Sequence, residues 1–149
     1  MSAVENRPAG ACDANALAAL LRCELAAVAT YDEAMEKFED PHALDDLQKI
    51  REDHARAVDL LRDTVARNGG RDVESPGPWP SFEAAVGDMS RAVAFAALKQ
   101  GEQHSVNEYE LALENNDLNP ECKALIRSEL LPRDREHVER IDRLMGGMA

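Results

Sequence analysis

The sequence predicts an all-α fold in which four amphipathic helices gather into one bundle, and three observations predict it. Apolar residues recur at helical spacing in four separate stretches. Ala and Leu abound and β-branched residues are scattered, while aromatic residues make up only 4% of the chain, a balance that favours helix. Two Asp/Asn-Pro steps, Asp40-Pro41 and Asn119-Pro120, each read as an N-cap followed by a first-turn proline. A chain of 149 residues is long enough for a real core and fits one domain, expected over 13–149.

Residues 1–12 carry Pro8, Gly10 and little periodicity, so they read as a loose arm. The first helix is expected to open near Asp13 or Asn15 and to run to about Phe38. Leu17, Leu20, Leu21, Val28, Tyr31, Met35 and Phe38 form its apolar stripe. Asp40-Pro41 starts the second helix, with Leu47, Val58, Leu61 and Val65 on one face, and Asn68-Gly69-Gly70 ends it. The stretch 69–87 holds Pro76, Gly77, Pro78, Trp79 and Pro80. Ser81 is placed to cap one short helical turn at its end, and Trp79 to pin the loop to the bundle. A third helix is expected from Asp88 to Glu114, with Phe95, Leu98, Val106, Tyr109 and Leu113 as its stripe. Asn119-Pro120 opens the fourth, striped by Ile126, Leu130, Ile141 and Leu144 and running to Met145; Pro132 should kink or interrupt it.

Loop lengths set the expected topology. Short turns near 39–41 and 115–119 make two antiparallel hairpins. A helix of about 25 residues is about 37 Å long, and the stretch 69–87 spans that distance if extended. A connection able to travel the length of the bundle is the single crossover of ferritin-like folds; a plain up-down bundle with one long loop is the alternative.

One ionisable residue sits in the middle of each stripe: Glu24, His54, Glu102 and His137. Helices normally place charges on the opposite face, and burying an ion costs several kcal/mol unless it is paired, hydrogen-bonded or bound to a metal. Their heights agree. Glu24 lies 14 residues before Phe38 and His54 lies 13 after Pro41; Glu102 and His137 are level to within about a turn. The two hairpins also repeat. Glu24, Val28, Tyr31, Asp32, Ala34 and Met35 recur at identical spacing as Glu102, Val106, Tyr109, Glu110, Ala112 and Leu113. Two carboxylates and two imidazoles at one level offer ligands to iron, manganese or zinc, with Asp134 as a fifth candidate at the edge of its stripe, where a surface ion pair competes.

Di-iron carboxylate bundles take one Glu from each of two helices and Glu-x-x-His from each of the others. The fourth helix offers the variant Asp134-x-x-His137, whereas the second offers Arg51-x-x-His54, and Arg cannot coordinate a metal. Arg51 is instead expected to pair with Glu24, and Arg133 with Glu102, while Glu52 and Asp53 point away from the stripe. Tyr31, Tyr109 and Arg51 are placed in the shell around the candidate ligands, the tyrosines as packing residues or as hydroxyl donors to Glu24 and Glu102. His104 and His42 read as surface residues.

The segments Leu20-Leu21-Arg22-Cys23-Glu24-Leu25 with Tyr31, Asp53-His54, Gly101-Glu102-Gln103-His104 with Tyr109-Glu110, and Leu130-Leu131-Pro132-Arg133 with His137 resemble the bacterial ferritin-like bundle family of unknown function. The resemblance covers roughly residues 16–145. It implies a ferritin-like four-helix fold and no particular activity, and Arg51 departs from the pattern of ferritins proper.

A net charge of -12 disfavours contact with phosphate backbones and anionic membrane surfaces, so no nucleic-acid or membrane partner is expected. Cys12, Cys23 and Cys122 are odd in number and form no Cys-x-x-Cys pair, which fits a reducing compartment. The N-terminus lacks a basic leader, and the apolar run after it is broken by Arg22 and Glu24, so the cytoplasm is expected. No phosphate loop, nucleophile elbow or catalytic triad spacing is present, and self-association into a homo-oligomer is left open. The leading expectation is a metal-binding bundle with a mononuclear or incomplete dinuclear site, tied to oxidative or metal stress. The competing one is a structural or protein-interaction bundle whose buried salt bridges fix helix pairing without a metal.

Overall fold

The computed structural model describes residues 9–69 and 90–146, and within them the protein is all-α with no strand. Helix α1 spans Ala9–Met35, α2 Pro41–Arg67 and α3 Arg91–Glu114. The fourth rod (120–146) has three parts: α4 (Pro120–Leu125), a π-helical segment (Ile126–Leu130) and α5 (Leu131–Gly146). Residues 70–87 of the expected crossover, with Trp79 and Ser81, lie outside the described residues. None of the described helices is long and apolar enough to cross a membrane.

The helix ends follow local chemistry. Asp40 caps α2, its carboxylate accepting from the amides of His42 and Ala43, with Pro41 in the first turn. Asn68 closes α2, and Gly69 follows at φ 77, in the left-handed region open to glycine. Asn119 caps α4 by accepting from the Cys122 amide at 2.8 Å. Two expected starts shift. Helix α1 begins at Ala9, about a turn before Asp13, because the alanine-rich run around it propagates helix. Helix α3 begins after Ser90, whose hydroxyl accepts from the Val93 amide at 3.3 Å, and not at Asp88.

Pro132 interrupts the fourth rod, and does so by widening the turn before it. Proline has no N–H to donate to the carbonyl four residues back. The Leu131 amide reaches the Ile126 carbonyl, a five-residue step, so the turn holds one residue more than an α turn.

The interior divides into two apolar clusters. One gathers Leu17, Leu20, Leu21, Val58, Leu61, Val65, Tyr109, Leu118, Ile126 and Leu130. The other gathers Ala27, Tyr31, Phe38, Leu47, Ile50, Phe95, Leu98 and Ile141, with the Phe38 and Phe95 rings 4.6 Å apart. On every rod, the buried ionisable residues fall between the two clusters in sequence: Glu24, His54, Glu102, then Asp134 and His137.

Candidate metal centre

Each rod delivers its polar group to this layer for the same reason: the apolar residues before and after it on its face are committed to the core. Glu24, His54, Glu102, Asp134 and His137 are all at most 3% exposed. His54 lies between two carboxylates, its Nδ1 2.6 Å from Glu24 Oε2 and its Nε2 2.6 Å from Glu102 Oε2. The other oxygen of Glu102 is 3.2 Å from His137 Nδ1, which also faces Asp134 Oδ1 at 3.5 Å. His137 Nε2 is 2.9 Å from Asp53 Oδ2. The two imidazole rings sit 4.9 Å apart.

The tyrosines cross over between α1 and α3. Tyr31, on the helix of Glu24, donates to Glu102 Oε2 at 2.6 Å. Tyr109, on the helix of Glu102, donates to Glu24 Oε1, also at 2.6 Å. The repeat seen in the sequence therefore becomes a reciprocal exchange of hydroxyls. The Tyr31 ring also stacks on His54 with centroids 5.5 Å apart.

Electrostatics follow from burial. Burial alone would lower the His54 pKa, but Glu102 and Glu24 on either side outweigh it and raise it well above the ordinary imidazole value. Burial likewise opposes the charge on His137, yet Glu102, Asp134 and Asp53 raise its pKa to about 10. Burial would raise Glu102, but His54 and His137 hold its carboxyl well below the usual carboxylate range. Its hydrogen bond to His137, opposed by partial burial, lowers Asp53. Asp134 goes the other way, pushed up to about 7 by burial and by the nearby charge of Glu24. His137 lowers Asp134 in return, but their 3.5 Å contact is too loose to offset desolvation and the charge of Glu24. Burial and then Glu24 push the Tyr109 hydroxyl far from ionisation, and burial and then Glu102 do the same for Tyr31. Burial, Glu108, Glu24 and Asp134 push the Cys23 thiol up to about 12, which keeps it from offering a thiolate to the layer.

Four expectations are corrected. Arg51 does not neutralise Glu24: it lies on the surface and grips Asp32 through two nitrogens, at 2.8 and 3.3 Å. Arg133 does not neutralise Glu102, whose partners are Tyr31, His54 and His137; Arg133 Nη1 is buried with no hydrogen-bond partner. Asp53 does not point away, since it reaches His137 across the gap between α2 and α5. Asp134 lies inside the layer, 3% exposed, and is not part of a surface ion pair. Its Oδ2 is buried with no hydrogen-bond partner. His42 is exposed and His104 half-buried. Asp53 was the residue sequence reasoning missed. Its signal was adjacency to His54 on a helix whose outer face meets the partner hairpin, and periodicity alone does not show that meeting.

His54, Glu102, Asp134 and His137 each offer one ligand atom, and these atoms all lie within 4.8 Å of one another. Two imidazoles and two carboxylates form a mixed nitrogen–oxygen donor set of the kind that suits iron, manganese or zinc.

No curated protein and no solved structure matches the chain. One family model does, over residues 13–115, a stretch that contains Glu24, Tyr31, Asp53, His54, Glu102 and Tyr109 and stops before Asp134 and His137. The chain belongs to the family described as Domain of unknown function (DUF2383).

Proposed function

We propose that this protein is a metal-binding, ferritin-like four-helix bundle, a single domain over 13–149, in which the group Glu24, His54, Glu102, Asp134 and His137 holds a divalent iron, manganese or zinc ion. The observation that carries this is Asp134 Oδ2. A buried carboxylate oxygen without a partner is costly, and this one belongs to a residue that lies with three other candidate ligands inside 4.8 Å. An ion there would satisfy it and offset the burial and the Glu24 charge that raise Asp134. When bound, such an ion supplies Lewis acidity, and iron or manganese adds redox chemistry, which is the link to oxidative or metal stress.

Side-chain pairs support the ferritin-like direction of the helices. Residues 24, 31 and 38 meet 109, 102 and 95 in turn, so a step forward along α1 is a step back along α3. Glu24 with His54 and Asp32 with Arg51 give α1 and α2 the same opposed sense. Helices α2 and α3 then run the same way. Asn119 bonded to Asn68 at 2.9 Å and Arg67 to Glu121 at 2.6 Å tie the end of α2 to the start of α4, as that arrangement requires.

The structural reading has its own support. Every nitrogen of His54 and His137 already faces a carboxylate, so imidazolium protons can hold the layer together without an ion. Metal analysis of protein purified without chelator or affinity tag, followed by titration with Fe(II), Mn(II) and Zn(II), separates the two. Stoichiometric metal supports a metal centre. A well-folded chain that takes up none of the three ions leaves the structural bundle.

A further inference from the structure

The two nitrogens of an imidazole point away from each other, so one ring can give only one of them to a given ion. Both histidines of the layer are flanked by carboxylates on both sides, and the two sides differ. His54 Nε2 and His137 Nδ1 converge on opposite oxygens of Glu102, at 2.6 and 3.2 Å, and His137 Nδ1 also faces Asp134. His54 Nδ1 turns outward to Glu24, and His137 Nε2 turns outward to Asp53. Glu24 has its remaining oxygen engaged by Tyr109, so one of its oxygens is held by Tyr109 and the other by the outward nitrogen of His54. Only one cluster of candidate ligands occurs among the described residues, and neither Glu24 nor Asp53 belongs to it.

Resting on the metal-binding reading above, we propose that the centre is mononuclear, with His54 Nε2, Glu102, Asp134 and His137 Nδ1 as its ligands. Glu24 and Asp53 are positioning residues. Each accepts the N–H of an imidazole's far nitrogen, fixing which nitrogen faces the ion and raising its basicity. This moves Glu24 from the ligand set, where its repeat relation to Glu102 put it, to the shell behind. It also breaks the symmetry of the two hairpins. Glu102 is the shared carboxylate of the centre, and its counterpart Glu24 serves a histidine. The two histidines would bind through different nitrogens.

Long-range proton–nitrogen correlation spectra of the nitrogen-15-labelled, zinc-loaded full chain test this without any substitution. Two of the four histidines should shift on loading, one with zinc on Nε2 and a protonated Nδ1, the other with zinc on Nδ1 and a protonated Nε2. Metal analysis should give one zinc per chain. Both histidines bound through Nε2, or two zinc ions per chain, would overturn the proposal while leaving a metal centre in place. Glu24→Gln and Asp53→Asn keep an acceptor, so each should retain one zinc and both tautomers while weakening affinity about 10- to 100-fold. Glu102→Gln and Asp134→Asn should lose stoichiometric zinc. A folded Glu24→Gln chain that loses zinc as completely as Glu102→Gln makes Glu24 a ligand and sinks its reassignment. A folded wild-type chain that takes up no zinc overturns the metal reading itself.

Discussion

Removing one hydroxyl from each tyrosine of the layer should have unequal effects, and the inequality follows from counting what each carboxylate retains. Tyr31 and Tyr109 are at most 2% exposed, and Phe at either position keeps the ring and its packing. Glu102 Oε2 accepts from both Tyr31 and His54, and its Oε1 faces His137, so Tyr31→Phe leaves neither oxygen bare. Glu24 Oε1 has Tyr109 and Oε2 has His54, so Tyr109→Phe strips one buried oxygen completely. A hydrogen bond to a charged group contributes about 1.5–3 kcal/mol net, and orphaning a buried acceptor reaches the upper part of that range. Tyr109→Phe should therefore destabilise the metal-free protein by about 2–3 kcal/mol, and Tyr31→Phe by about 1 kcal/mol. Urea unfolding at neutral pH, followed by helical circular dichroism, reads this as a midpoint shift at unchanged slope. Equal losses, or a larger loss for Tyr31→Phe, would refute the exchange of hydroxyls between α1 and α3.

Arg51→Ala should cost less than about 1 kcal/mol, as expected for a surface ion pair; a loss of 3 kcal/mol or more, about what orphaning a buried charge costs, would put the guanidinium back beside Glu24. The metal-free protein should lose stability as the pH rises from 6.5 to about 10, because folded His137 keeps its proton up to about 10 while the unfolded ring releases it near 6.5. That contribution is fully present below 6.5 and gone above 10. Denaturation across the window should show the decline in wild type and a flatter profile in His137→Gln, and a flat wild-type profile counts against a charged His137. Deleting Ser128 together with Pro132→Ala should leave folding and zinc uptake intact, whereas deleting Glu136, between Asp134 and His137, should abolish uptake. A helical Ser128-deleted chain without zinc uptake would refute the extra-residue account of the π segment.

Most of the frame was legible because it rests on local chemistry. Asp40-Pro41 and Asn119-Pro120 act as caps whatever the helices pack against, and the apolar stripes hold Glu24, His54, Glu102 and His137 in the interior by exclusion. What was not legible depends on how one helix is rotated against another. Asp32 takes Arg51 and leaves Glu24 to Tyr109 and His54, an allocation set by the facing of α1 and α2. Asp53 lies off the stripe of α2, yet the gap it borders is where His137 presents Nε2. Periodicity gives each helix its inner face; it does not say which off-face residue meets the neighbouring rod.

Asp134 shows a different limit, one of counting. Two turns beyond Ile126 in an unbroken α-helix lies residue 133, which would set Arg133 toward the axis and Asp134 at the edge. The π segment Ile126–Leu130 contains one more residue than α geometry needs, so the inward position two turns on becomes 134. The burial pattern agrees: Leu130 and Leu131 are both inside, then Asp134, His137 and Ile141 follow at regular helical steps. The cause lies in the sequence, since Pro132 removes the amide that would close the α turn. Proline is usually read as a kink, yet here the wider turn before it brings residue 134 inward, while His137 and Ile141 keep the inward positions that α spacing from Ile126 already gave them. The wider turn exchanges a cation for a carboxylate at the layer of His54 and Glu102. With Arg133 there the layer would repel a metal ion; with Asp134 it has the fourth donor that the proposed centre requires.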